Sequence, residues 1–208
     1  MQKRCNLIKK YIEGKEILDI GCIGDFPDLQ FYPIENGSAP MNFMSLNAKK
    51  YVGIDYDLKR VRELNDKGYH NIIWADAQCF ALEDNFDVIF AGELIEHLPN
   101  PGQFLDNVSR HLKNGGFLIL STPNVFSINH ILRGVLGIQI KPYHEHTHWH
   151  CERTLAQLLK QYGFKIVEKH YLNEDYGMNK GRLFIMNLLS KFNKRWRQTM
   201  LFVCQKEV

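Results

Sequence analysis

Along the 208-residue chain, short apolar runs alternate with longer stretches in which apolar residues recur every three or four positions, the pattern of strands separated by amphipathic helices. Leu7, Ile8, Tyr11 and Ile12 sit at helical spacing between lysines, and Gly14 closes that segment as a helix C-terminal glycine. Ile17, Leu18 and Ile20 form a run suited to a strand buried on both faces, and Gly21 and Gly24 follow it with the backbone freedom a close ligand approach needs. A helix is expected from about Met41 to Lys49, a second strand over Tyr51–Ile54, a helix from Leu58 to Lys67 ended by Gly68, and a third strand over Asn71–Trp74. The run Phe86–Phe90 reads as a fourth strand. Phe104, Leu105, Val108 and Leu112 then mark a helix ended by Gly115 and Gly116, and Phe117–Leu120 supplies a fifth buried strand.

This alternation predicts an α/β fold, a Rossmann-like doubly wound sheet with right-handed crossovers. Glu152–Tyr162 reads as a further helix capped by Gly163, and a sixth strand starts at Phe164–Val167. Three stretches fall outside the alternation, at about 26–40, 125–150 and 173–198, and are expected as insertions in a single domain. The first carries Pro27, Pro33, Gly37 and Pro40, which rule out one long helix after the glycine loop. The second has Ile128, Ile131, Leu132, Val135, Leu136 and Ile138 at helical spacing, a short packed helix or a lid over a substrate.

Composition changes this picture little, with 45% hydrophobic and 24% charged residues, as in an ordinary globular domain. A formal net charge of +3 is too small to imply a nucleic-acid partner. Five cysteines without paired short spacing read as reduced thiols. The N-terminus lacks the apolar core of a signal peptide, and no run approaches the ~20 apolar residues of a membrane span, so a cytoplasmic location is expected.

The polar residues at the strand ends carry the candidate chemistry. Asp55 ends the second strand, and one carboxylate there can accept hydrogen bonds from both vicinal hydroxyls of a ribose. Asp76 and Ala77 follow the third strand, and Ala91, Gly92 and Glu93 the fourth. Together with the stretch EILDIGCIGD and the segment GELIEHLPNPGQF, these positions resemble class I S-adenosylmethionine (SAM) dependent methyltransferases, over about residues 16–164. Asp19, Gly21 and Gly24 match the first motif, although Asp25 stands where a further glycine is common. The resemblance implies that Asp19, Gly21, Cys22 and Gly24 shape the methionine end of a SAM site. It also implies Asp55 and Tyr56 at the ribose, Asp76 and Ala77 at the adenine, and Ala91 at the methyl-donor end. Thr199–Cys204 fits the reversed last strand of the class, which makes the sheet mostly parallel. The acceptor expected is an oxygen of a small molecule or glycan precursor.

Glu93, Glu96 and His97 would share one face if their segment were helical. With His144, His146, His148 and His150 downstream they resemble the metal-binding signature of small-RNA 3′-terminal and ubiquinone-pathway O-methyltransferases. A divalent metal is the less favoured reading, and Glu93, His97 and His146 are the expected catalytic residues, with His97 or His146 as proton acceptor. The alternatives are a metal-dependent RNA 2′-O-methyltransferase and a SAM-binding scaffold without activity. Finally, Asn179–Arg197 contains Lys180, Arg182, Lys191, Lys194, Arg195 and Arg197 without an acidic residue, beside the stripe Ile185, Leu188, Leu189, Phe192 and Trp196. It is expected to form one helix packed by that stripe, with weak contact to an anionic membrane surface through 180–197 and no specific nucleic-acid partner.

Overall fold

The computed structural model describes residues 2–24, 40–140, 144–173 and 180–207. Most of the irregular stretch 26–40, with Asp25, lies outside the described residues. A helix α1 (Gln2–Ile12) precedes β1 (Glu16–Ile20), followed by α2 (Pro40–Asn47), β2 (Lys50–Asp55), α3 (Leu58–Asp66), β3 (Ile72–Trp74) and β4 (Phe86–Gly92). Then come α4 (Pro101–His111), β5 (Leu112–Pro123), α5 (Ile128–Val135), α6 (Glu152–Gln161), β6 (Phe164–Leu172), α7 (Lys180–Leu189) and β7 (Thr199–Lys206). Among the described residues the sheet has seven strands in the order β3-β2-β1-β4-β5-β7-β6. Neighbours from β3 to β5 pair in parallel, and β7 runs antiparallel to both β5 and β6.

Because the central strands carry apolar residues on both faces, helices cover each side. On one face Leu18, Ile20, Ile89 and Leu118 pack with Phe104, Leu105 and Val108 of α4 and with Leu155 and Leu159 of α6. On the other, Ile17, Val88 and Phe90 pack with Ile8 and Ile12 of α1, Met41 and Met44 of α2, and Val61 and Leu64 of α3. All the named core residues are at most 3% exposed, a burial that stabilises by roughly 1.5–3 kcal/mol for each large aliphatic or aromatic side chain.

Several expected boundaries move for identifiable reasons. Helix α4 starts on an Asn100 side-chain cap, 3.0 Å from the Gln103 N–H, and ends at His111 rather than at the glycines. Leu112 is already extended and buried opposite Phe86, and the ladder shifts register before Val88 meets Phe117. Strand β6 runs five residues past Val167 because β7 pairs with it to Leu172, although its half-exposed face breaks the apolar run.

The expected single helix over 179–197 is divided. Helix α7 stops at Leu189, where the Ser190 hydroxyl donates to Asn187 O at 3.2 Å and accepts from the Asn173 amide at 3.0 Å. Asn193 then caps a separate one-turn 3-10 helix, Lys194–Trp196, by accepting the Arg195 N–H at 3.0 Å. Of the expected stripe, Leu188 and Phe192 are exposed and Leu189 and Trp196 half-buried, the Ile185 side chain lying outside what is described, and the buried residues here are Met186 and Ser190. No helix among the described residues is long and apolar enough to cross a membrane.

Candidate active site

Strand order reverses between β1 and β4, and a cavity of about 530 Å³ opens there, at the carboxyl ends of β1, β2, β3 and β4. Gly21 and Gly24 line it in left-handed backbone conformations, φ 73° and 64°, that side chains rarely adopt. A Cβ on Gly21 would also stand 3.2 Å from Leu94 Cδ1, so the glycine leaves room for the leucine that closes this end.

Asp55 lines the cavity at the end of β2 and organises the loop facing it. Its Oδ2 accepts the Ile23 N–H and its Oδ1 the Asp57 N–H, each at 3.0 Å. Burial pushes its carboxyl above the usual range while those two N–H groups hold it down. Each oxygen keeps a lone pair for a further donor. Asp76 and Ala77 line the cavity just beyond β3, where Asp76 Oδ1 accepts the Gln78 N–H at 2.8 Å. Tyr56 forms an exposed rim, its carbonyl accepting from the Trp74 indole at 2.9 Å.

Three other expected residues stand behind this lining. Asp19 is buried in β1, its Oδ2 accepting the Tyr51 hydroxyl at 2.8 Å, and burial, helped by the charge of Asp55, pushes its carboxyl up to about 7. Cys22 is buried against Gly53, and burial raises its thiol well above the ordinary range. Ala91 belongs to the core, and the next two residues, Gly92 and Glu93, reach the cavity instead.

At the far end the chain departs from a helical face. Glu93 has φ 52°, outside any helix, and a 3-10 turn spans Ile95–His97. Glu93 thus shares no helical face with Glu96 and His97, and it meets Arg4 Nη2 at 3.2 Å. Glu96 is buried, with Oε2 accepting the Thr122 hydroxyl at 2.9 Å and Oε1 without a hydrogen-bond partner among the described residues. Burial first, and the charge of Glu93 second, push its carboxyl up to about 8.

His97 lines the cavity, and the His146 ring meets it edge-on with centroids 4.6 Å apart. What brings His146 there is backbone pairing. The N–H groups of Thr147 and His148 donate to Glu96 O at 2.9 and 3.1 Å, docking the second insertion on the turn. Burial and the neighbouring His97 lower the pKa of His146. One ligand atom from each of Glu96, His97 and His146 lies within 4.8 Å of the others. His144 is exposed and His148 half-buried, and His150 is buried with Nε2 unpartnered among the described residues.

Leu94, Leu98, Pro99, Gln78 and Glu145 also line the cavity and were not singled out from the sequence. Leu94 and Leu98 belong to the segment GELIEHLPNPGQF and were legible there. Nothing local pointed to Glu145 or Arg4.

A family model described as "Methyltransferase domain" matches residues 3–169. The chain belongs to the methyltransferase-domain family. This methyltransferase domain is 26% identical over 150 residues to the mitochondrial ubiquinone biosynthesis O-methyltransferase of Dictyostelium discoideum, covering 64% of this chain and 43% of that protein. The chain spans about half the length, or less, of the first curated relatives it matches. Among solved structures, a SAM-dependent methyltransferase from Archaeoglobus fulgidus superposes with a TM-score of 0.66 at 17% identity, covering 99% of this chain and 92% of that one. The N-methyltransferase NodS from Bradyrhizobium japonicum, in complex with S-adenosyl-L-homocysteine, superposes with a TM-score of 0.59 at 16% identity, covering 99% and 86%. The methyltransferase domain thus has the class I SAM-dependent fold.

Proposed function

We propose that the chain binds SAM in the 530 Å³ cavity and directs its methyl group to an oxygen of a small-molecule or glycan precursor acceptor. The observation that carries this reading is the placement of Asp55 and Asp76 at the ends of adjacent strands in one cavity, with His97 at its other end. The residues present suit the cofactor. The volume is that of a small-molecule site, the spare lone pairs of Asp55 suit vicinal hydroxyls, and Asp76 offers an acceptor to an exocyclic amine. Gly21 leaves the cavity wall free of a side chain beside Leu94.

When bound, SAM supplies an electrophilic methyl group on a sulfonium. The chain has two tasks, to hold the acceptor oxygen in line and to take its proton. A ring nitrogen of His97 takes that proton, with His146 packed against it and Glu145 Oε2 3.9 Å from its Nδ1. The curated relatives are named O-methyltransferases of ubiquinone biosynthesis, which supports oxygen as the acceptor atom.

A second reading is favoured by one observation, the convergence of Glu96, His97 and His146. The orphaned, buried Oε1 of Glu96 is a suitable ligand atom for a divalent cation, and the two imidazoles would complete a three-residue set able to polarise an acceptor hydroxyl. Labelled SAM offered to phenol, sugar and RNA acceptors, with and without chelator, tests both readings. Transfer to a phenol or sugar hydroxyl that survives chelation supports the first. Failure to bind SAM by calorimetry would overturn both.

A further inference from the structure

We propose that the face formed by α5 and α7 docks this protein on an anionic lipid bilayer. Both helices lie on the cavity side of the sheet, since α5 follows the carboxyl end of β5 and α7 connects the matching ends of β6 and β7. They touch each other. Ser127 caps α5 and Ile128 anchors it, after which Leu132, Val135 and Leu136, three and four apart, are exposed on one side, with Ile138 just beyond. Among the described side chains of α7 Met186 is buried, as is Ser190 just after the helix, and Phe184 and Leu188, four apart, are left to solvent with Phe192 after them. Val135, Phe184 and Phe192 are 79%, 68% and 82% exposed, too much for side chains that serve a fold.

Isolated exposed apolar residues are ordinary, but seven on two touching helices and the residues just beyond their ends form the kind of surface that marks an interaction site. Its charge identifies the occupant. Exposed Lys191, Lys194 and Arg195 flank Phe192 in the chain, partly exposed Arg133 follows Leu132 on α5, and neither 124–140 nor 180–197 contains an aspartate or glutamate. Arg195 lies 3.6 Å from Glu152 and is still 67% exposed. A twofold contact with a second copy would set the same cations against each other. An anionic bilayer satisfies both parts, with acyl chains for the leucines, valine and phenylalanines and headgroups for the cations. Trp149, half exposed and stacked on His130 of α5 at 5.3 Å with rings 6° from parallel, adds the indole that interfaces favour. Glu145, which lines the cavity, and Trp149 lie in one short segment, so the docked surface adjoins the mouth of the cavity.

Cosedimentation of the full chain with phosphatidylcholine vesicles, pure or carrying one third phosphatidylserine, tests this. Binding is expected only to the anionic vesicles, falling with salt. The triple variant K191E/K194E/R195E should bind at least about tenfold more weakly. The variant V135S/F184S/F192S should lose binding even at low salt while keeping the wild-type thermal transition. Should that second variant not fold, the charge variant decides alone. No binding of the wild-type chain to anionic vesicles, or undiminished binding by the charge variant, overturns the proposal. So does a dimer in sedimentation velocity that the serine substitutions break while vesicle binding is unchanged.

Discussion

Arg4 Nη2 donates to Glu93 Oε1 at 3.2 Å, tying the helix ahead of the sheet to the residue that follows β4 in a left-handed conformation. The Arg4 side chain is only 5% exposed, and it passes so close to Gly92 that a Cβ there would stand 3.2 Å from Nη1. Removing one partner of such a pair leaves the other charge uncompensated, although the partial exposure of Glu93 tempers the penalty. Arg4→Met should therefore destabilise the fold by about 2 kcal/mol, seen as a lower thermal midpoint, and loosen the cavity end that Glu93 lines. An unchanged midpoint would mean that the pair contributes nothing to holding α1.

Asp55 is expected to contribute most of its binding energy through hydrogen bonds to a ligand's hydroxyls. Asp55→Ala should weaken SAM binding by about 1–3 kcal/mol in calorimetry, because the hydroxyls would lose their acceptor in a partly dry site. The substitution also frees the Ile23 and Asp57 N–H groups, so Asp55→Asn, which keeps one side-chain oxygen, should fall between the two. Wild-type affinity in a folded Asp55→Ala protein would remove the residue from the site.

Turnover is expected to persist in EDTA, with His97 acting as base. His97→Ala should then lower turnover by ~10²- to 10⁴-fold while SAM affinity stays constant. Loss of activity on chelation, restored by magnesium or manganese, would instead assign Glu96, His97 and His146 to a metal.

The central sheet was legible because parallel strands buried on both faces leave mostly apolar runs, as in Ile17–Ile20 and Phe86–Phe90, each broken by a single aspartate, and because Asp55 and Asp76 punctuate strand ends. What escaped depends on partners distant in the chain. Whether Glu93 faced Glu96 depended on a φ of 52° that spacing cannot reveal, and on an arginine 89 residues earlier. The meeting of His97 and His146 rests on two backbone N–H groups reaching Glu96 O, a pairing no side-chain pattern encodes. In the basic segment the apolar stripe implied a buried face, but Leu188 and Phe192 of that stripe are exposed, while Ser190 is buried where the hydrogen bonds of Asn173 and Asn187 hold it.

Asp19 predicts a pH dependence of stability. Its carboxyl is fully buried with Tyr51 as donor, and burial raises its pKa to about 7 in the folded chain, against an ordinary value near 3.8. The folded state therefore holds this proton where the unfolded state has lost it, so unfolded chains bind fewer protons and stability falls as pH rises. This contribution is absent below about pH 4, develops between pH 4 and 7, and is constant above. Asp19→Asn preserves the shape and an oxygen for the Tyr51 hydroxyl while removing the titration. The variant should match the wild-type chain near pH 4 and exceed its stability above pH 7 by up to about 4 kcal/mol, the full value of a three-unit shift. Urea unfolding of both proteins across this range measures the difference, in which the other titrations cancel. A difference that does not change with pH would show that Asp19 is already ionised in the folded chain at acid pH, and that Tyr51 outweighs its burial.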